Sequence, residues 1–214
     1  MRIGIYGGKF NPVHNAHLQV AQHALEQLKL DRLLFVPTGI PPLKAAAELV
    51  RGEHRLAMLR LAIAGQPGLI ASDFEVLREQ KSFTIDTVRH YVGEYPADTE
   101  FFFILGDDIA ARLHHWKGIY ELQRLVRFVS VGRSVVPLPP GTSAPQKIDR
   151  GLSKVAAIAT ATMVMPAMPI SSTQLRAKLR AGYSVRDLTP RAVVEYIERY
   201  GLYQAESSQP TEPA

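Results

Sequence analysis

Apolar residues along the chain fall into two rhythms that take turns. Short, largely apolar runs at residues 3–6, 33–36, 69–71, 101–105, 127–131 and 162–165 predict strands. The run Phe101-Phe102-Phe103-Ile104-Leu105 has no polar member, so both faces of that strand should be covered, as in a parallel sheet. Between the runs, apolar residues recur every three or four positions, the period of a helix with one buried face. Over residues 16–29 these are Leu18, Ala21, Leu25 and Leu28; over 54–64 they are Leu56, Leu59 and Ile63. Residues 82–95 place Ile85, Val88, Val92 and Tyr95 on one face, with Ser82 or Thr84 as the cap. A short helix capped by Ser172 runs through Leu175 and Leu179 and is closed by Gly182. Thr189 caps the last helix, Pro190 takes its first position, and Gly201 ends it.

Strand and helix alternate, which predicts an α/β fold with a doubly wound parallel sheet flanked by helices and a small helical C-terminal part. One domain is expected over residues 1–203. The polar, unpatterned residues 204–214 are expected to form a disordered tail. Residues 134–145, with Pro137, Pro139, Pro140 and Pro145, read as a loop inside that domain, because patterned elements resume after it.

Composition narrows the class only slightly. The 214 residues are 46% apolar and 21% charged, as in an ordinary globular chain. No apolar run approaches the roughly 20 residues of a membrane span, and the first run is too short for a secretion signal. With no cysteine, disulfides, thiolate zinc sites and cysteine nucleophiles are excluded, and a cytoplasmic location is expected. The net charge of +5 suits an anionic substrate such as a nucleotide. No block of like charge points to nucleic acid.

Ligands of such folds sit beyond the carboxyl ends of the strands. Three polar constellations fall there. In the first, Gly7-Gly8-Lys9-Phe10-Asn11-Pro12-Val13-His14-Asn15-Ala16-His17 joins a strand to a helix, where backbone N–H groups welcome an anion. His14 and His17 share one helical face and can donate to phosphate oxygens. Metal binding and simple capping are the alternatives. Second, residues 37–44 include Thr38-Gly39-Ile40-Pro41-Pro42-Leu43-Lys44, a stiff loop presenting the Lys44 cation, for a phosphate or only for solvent. Third, in Gly106-Asp107-Asp108 a carboxylate can hold ribose hydroxyls or orient magnesium, or serve as a helix cap. Elsewhere, Trp116 has polar neighbours, so its ring either stacks on a planar heterocycle or packs half-buried. Ile170-Ser171-Ser172-Thr173-Gln174-Leu175-Arg176 opens another helix with hydroxyls and an arginine, either a second anion cradle or ordinary capping.

The run from Gly8 to His17 resembles the Gly-x-Phe-x-Pro-x-His-x-Gly-His signature of the adenylyl- and cytidylyltransferase superfamily. Residues 170–176 resemble its second signature, Ile-Ser-Ser-Thr-x-Ile-Arg. Phe35-Val36-Pro37 through Lys44, Ser82-Phe83-Thr84-Ile85-Asp86-Thr87, and Phe103 to Asp108 with Trp116 are similar to the bacterial nicotinate-nucleotide adenylyltransferases. The resemblance spans residues 1–203 and implies a Rossmann-like fold. It implies adenylyl transfer from ATP to nicotinate mononucleotide, giving deamido-NAD and pyrophosphate, with magnesium held mainly by the ATP phosphates and no membrane or nucleic-acid partner. By position, His14, His17 and Arg176 would be catalytic. Gly7, Gly8, Lys9, Phe10, Asp108, Ser171 and Ser172 would meet ATP. Lys44, Thr84, Trp116 and Arg133 would meet the mononucleotide, with Trp116 stacking on its ring. No residue is expected to ligate a metal directly. Lys9 stands where the family usually has Ser or Thr, Ala16 where it usually has Gly, and Ser134-Val135 where Pro-Gly usually follows Arg133. A nicotinamide or dual-specificity enzyme is the near alternative; a non-catalytic nucleotide- or RNA-binding protein is the distant one.

Overall fold

The computed structural model describes residues 1–41, 49–134, 160–166 and 168–204, with only the backbone at Arg133, Ser134 and Thr160. Its strands are β1 (Arg2–Gly8), β2 (Arg32–Pro37), β3 (Leu69–Ala71), β4 (Glu100–Gly106), β5 (Arg127–Ser134) and β6 (Thr160–Pro166). Its helices are α1 (Asn15–Gln27), α2 (Gly52–Ala62), α3 (Thr84–Glu94), α4 (Asp107–Ala110), α5 (Ile119–Leu125), α6 (Ser172–Arg180) and α7 (Arg191–Arg199), with a 3-10 turn at Leu113–His115. Every run expected to form a strand lies within one. The short helix α5 was not legible, because it has room for under two turns of apolar period.

The strands form one sheet in the order β3-β2-β1-β4-β5-β6, and every pairing is parallel. Alternate residues explain the unbroken apolar runs. Phe102 and Ile104 of β4 pack in one layer with Leu18 and Ala21 of α1, Met58 and Leu59 of α2, and Ile197 of α7. Phe101, Phe103 and Leu105 pack in the other with Ile85 and Val88 of α3 and Leu122 of α5. Each such side chain gains about 1.5–3 kcal/mol by leaving water, so a central strand covered on both faces selects apolar residues throughout. A third, small core of Leu175, Val185 and Val194 joins α6 to α7.

From β1 the chain builds outward to β2 and β3, then returns to place β4, β5 and β6 on the other side. The winding therefore reverses between β1 and β4. Connections diverge from that point and leave a crevice at the carboxyl ends of both strands. The turn after β1 and the residues after Gly106 meet there.

Capping differs in detail from expectation. Ser171, not Ser172, caps α6: its Oγ accepts the Gln174 N–H at 3.2 Å. Neither Ser82 nor Thr84 caps α3, whose cap position is Phe83, with no side-chain bond. Pro190 occupies the cap position of α7, and the Thr189 hydroxyl instead donates to the Val13 carbonyl at 2.9 Å. Hydroxyls with a choice of acceptors are drawn here to carbonyls of the turn after β1. Gly182 and Gly201 follow α6 and α7 with φ of 74° and 59°, as their end positions require.

Candidate active site

A cleft of about 680 Å³ opens at the switch point between β1 and β4. Its polar lining is His14, His17, Asp107, Asp108, Ser171 and Ser172. Tyr6, Val131, Met165, Pro166, Met168 and Ile170 contribute its less polar walls. Residues from the turn after β1, the end of β4 and the start of α6 thus converge, although they are distant in sequence. The apolar side suits a planar base, and the two helix amino termini bring backbone N–H groups to an anion.

His14 occupies the cap position of α1 and His17 lies in its first turn. Their rings stack with centroids 3.7 Å apart at 24°. The His14 backbone N–H donates to Nδ1 of His17 at 3.2 Å. That bond needs a lone pair on Nδ1, so the neutral ring carries its proton on Nε2. Burial, and secondarily the neighbouring His14, holds His17 well below the ordinary histidine pKa of 6.5. At neutral pH His17 is therefore an uncharged ring with an Nε2–H donor.

The low pKa also sets a stability trend. The unfolded chain takes up a proton at His17 as the pH falls through about 6.5, whereas the folded chain resists it. This contribution is intact above that pH and is lost progressively below it, toward the folded-state value. Urea midpoints at pH 7.5 and 5.5 should fall further for the natural chain than for His17→Gln. An equal fall in both would contradict the depressed value.

The turn is held from several sides. Asn11, joined to Pro12 by a cis bond, is 4% exposed. Its Oδ1 accepts from the Tyr203 hydroxyl at 2.8 Å and the Val50 N–H at 3.3 Å. Its carbonyl accepts from Nη1 of Arg176 at 2.9 Å. Ser172 Oγ donates to the Pro12 carbonyl at 2.9 Å, and the Asn15 N–H donates to the Leu188 carbonyl at 2.9 Å. The C-terminal helices therefore clamp the turn. Ser172 spends its one hydroxyl proton on that clamp, so its donor toward an anion is its backbone N–H. Arg176 spends one of its five N–H donors there.

On α2, Arg55 is 1% exposed. It donates to the carbonyls of Val50 (Nε, 2.9 Å), Lys9 (Nη1, 2.8 Å) and Thr38 (Nη2, 2.5 Å). Burial lowers its pKa below the usual guanidinium value, opposed by Tyr203, once ionised, and by Glu75. Arg55 ties together the chain just past β1 and just past β2.

The other expected site residues fall in three groups. Lys9 is exposed, with its carbonyl on Arg55. Gly7 and Gly8 end β1; a Cβ on Gly8 would stand 3.0 Å from the Phe10 ring. The Phe10 ring is 2% exposed and packs on Tyr6, His17 and Phe35, so its side chain supports His17. Its φ of 44° turns the chain sharply toward the helix. On the opposite face, Thr84 opens α3, and Trp116 is half-buried, edge-on to Phe103 at 5.6 Å and Phe128 at 6.3 Å. These two come near each other: Lys117 Nζ lies 4.4 Å over the Phe83 ring, and Gly118 packs on Ile85. Arg133 is placed by its backbone alone, paired with Met165 in the sheet. Lys44 lies outside the described residues, as do most of the expected loop 134–145 and residues 205–214 of the expected tail.

Asn11, Arg55, Glu75 and Tyr203 escaped the sequence reading. Arg55 carried one signal. It shares a helical face with Met58, Leu59 and Ala62, where a surface arginine would not stand. Of the apolar cleft wall, Met165 was read only as part of a strand and Ile170 only as the start of the 170–176 cradle, and Met168 carried no signal.

A cytidylyltransferase-like family model matches residues 5–178. A probable nicotinate-nucleotide adenylyltransferase of Enterococcus faecalis is 38% identical over 205 residues, covering 96% of this chain and 86% of the relative. One of Synechococcus sp. (strain JA-3-3Ab) is 40% identical over 202 residues, with 94% of each chain covered. Among solved structures, Plasmodium falciparum nicotinic acid mononucleotide adenylyltransferase complexed with NaAD superposes with a TM-score of 0.70 at 19% identity. That match covers 94% of this chain and 97% of that one, a likeness of fold. Matched along nearly its whole length to such relatives, the chain belongs to the cytidylyltransferase-like family and, within it, to the nicotinate-nucleotide adenylyltransferases.

Proposed function

We propose that this chain transfers the adenylyl group of ATP to the phosphate of nicotinate mononucleotide, releasing pyrophosphate. The observation that carries the reading is the convergence of His14, His17, Asp108, Ser171 and Ser172 on one cleft at the switch point. An oxygen of the mononucleotide phosphate attacks the α-phosphorus of ATP in line. A P–O bond forms there as the bond to the β-phosphate bridge breaks, and pyrophosphate leaves with the electron pair. The attacking phosphate is already mostly ionised at pH 7, because its second pKa is about 6. No general base is needed. The work left to the protein is alignment and stabilisation of charge on the transferring and leaving phosphates.

Each residue has a definite part in this reading. Nε2–H of His17 donates to a phosphate oxygen where charge builds up, and His14 stands beside it. Backbone N–H groups at the start of α6, with Arg176 one turn on, face the leaving pyrophosphate. Asp108 holds the ribose region. Lys9, Gly7 and Gly8 border the triphosphate; Lys44, Thr84, Trp116 and Arg133 serve the mononucleotide. The donor set fits magnesium carried on ATP, because the carboxylates of Asp107 and Asp108 line the cleft. Magnesium on ATP would neutralise phosphate charge. No helix among the described residues is long and apolar enough to cross a membrane, and a cytoplasmic setting suits a cysteine-free chain.

Pyrophosphate release with ATP plus either mononucleotide tests the reading. Release is expected with nicotinate mononucleotide. None with either would sink the enzyme, and a marked preference for nicotinamide mononucleotide would sink the substrate assignment. Trp116→Ala should weaken mononucleotide binding by about tenfold, the loss of one aromatic stacking contact, with ATP binding little changed. An unchanged mononucleotide affinity would refute the stacking role.

A further inference from the structure

Glu75 lies outside the cleft, in the turn between β3 and α3, and is 8% exposed. Its two carboxylate oxygens join two distant segments. Oε1 accepts the Thr87 hydroxyl proton at 2.6 Å, in the first turn of α3. Oε2 accepts the Gly39 N–H at 3.4 Å, just past β2. Gly39 fits with no space to spare: a Cβ there would stand 2.0 Å from the Glu75 carbonyl oxygen. The next residue, Ile40, accepts the Ser82 N–H at 2.8 Å and forms a parallel bridge with Lys81. On its other side, Thr38 donates its N–H to the Gly8 carbonyl at 2.9 Å and its hydroxyl to the same carbonyl at 3.2 Å.

Segment 38–40 is thus fastened to the turn after β1 on one side and to the approach to α3 on the other. A carboxylate suits the second fastening for a definite reason. Both its oxygens are acceptors only, so it takes a fixed backbone N–H and a hydroxyl proton together. A carboxamide offers one acceptor. It can serve Gly39 only by turning its NH₂ toward Thr87, whose hydroxyl must then rotate.

We propose that Glu75 is a positioning residue for the mononucleotide, because it holds segment 38–40 against the opening turn of α3 and thereby fixes where Thr84 stands relative to the end of β2. The inference rests on the adenylyl-transfer reading for what Thr84 meets. It makes no claim on ATP, whose cleft is built from other elements.

Calorimetric binding of nicotinate mononucleotide and of ATP to the full chain tests it, alongside the pyrophosphate assay. Glu75→Gln and Thr87→Val should each weaken mononucleotide binding, Glu75→Gln by about tenfold, the worth of a charge-assisted hydrogen bond, with ATP affinity within about twofold. The double variant should be little worse than Glu75→Gln alone, since both changes break one link. Equal losses for both ligands, additive losses in the double variant, or unchanged mononucleotide affinity would each overturn the role. If the natural chain binds both ligands but releases no pyrophosphate, the adenylyl-transfer reading fails by itself, and the binding arms still decide the positioning role.

Discussion

His17→Ala should lower kcat by about a hundredfold to a thousandfold while changing ATP affinity only a few-fold. That range is what loss of one preorganised donor costs when the donor faces charge that appears in the transition state. The orientation of the ring supports it. Nδ1 is committed to the His14 N–H, so Nε2–H is the end left to face the cleft that His17 lines. Because burial keeps the ring neutral, that donor persists as the pH rises, and kcat should not fall through pH 6.5. Single-turnover rates and equilibrium ATP binding measure the two effects separately. Equal losses in both would make His17 an ordinary ground-state contact, and a rate that falls as the pH rises past 6.5 would make the reactive form the charged ring.

Arg55→Met should destabilise the fold by about 3–5 kcal/mol, the scale for removing one member of a buried, hydrogen-bonded charged group. Methionine fills much of the space but donates nothing. The carbonyls of Val50, Lys9 and Thr38 would lose their donor in a place water does not reach freely. The change would also be felt at the cleft, since Lys9 directly follows β1, one of the two strands between which the cleft opens. Urea denaturation gives the number, and a loss under about 1 kcal/mol would show that solvent replaces the guanidinium without penalty.

Much of the architecture could be read before any coordinates. The run from Phe101 to Leu105 implied a strand covered on both faces, and it lies near the middle of the sheet. The Gly-Gly turn with His14 and His17 and the aspartates after Gly106 were read at strand ends, and Ser171 and Ser172 separately as a possible second anion cradle; the fold brings them to one cleft. For other residues the fold shows a side-chain partner that the motif does not display. Ser172 was taken for the cap of α6, yet Ser171 caps it and the Ser172 hydroxyl proton goes to Pro12. Phe10 was assigned to ATP, and its ring lies beneath His17. In both cases the residue stands in a motif, and the motif does not say which partner wins.

By itself the sequence determined the period of every strand and of the longer helices, the parallel sheet those periods demand, and the chemistry concentrated where strands end. These are local properties: a rhythm, a glycine turn or a hydroxyl cluster needs only its neighbours to be recognised. The tertiary structure alone decided the buried supports, namely Asn11 under Tyr203, Arg55 across Lys9 and Thr38, and Glu75 between Gly39 and Thr87. Each of these residues is polar and, apart from Arg55 on its apolar helical face, reads locally as surface. What buries it is a set of carbonyls, N–H groups and hydroxyls from segments far away in sequence. Which of them come within hydrogen-bonding distance is settled only when the sheet has formed and the C-terminal helices have closed over its edge.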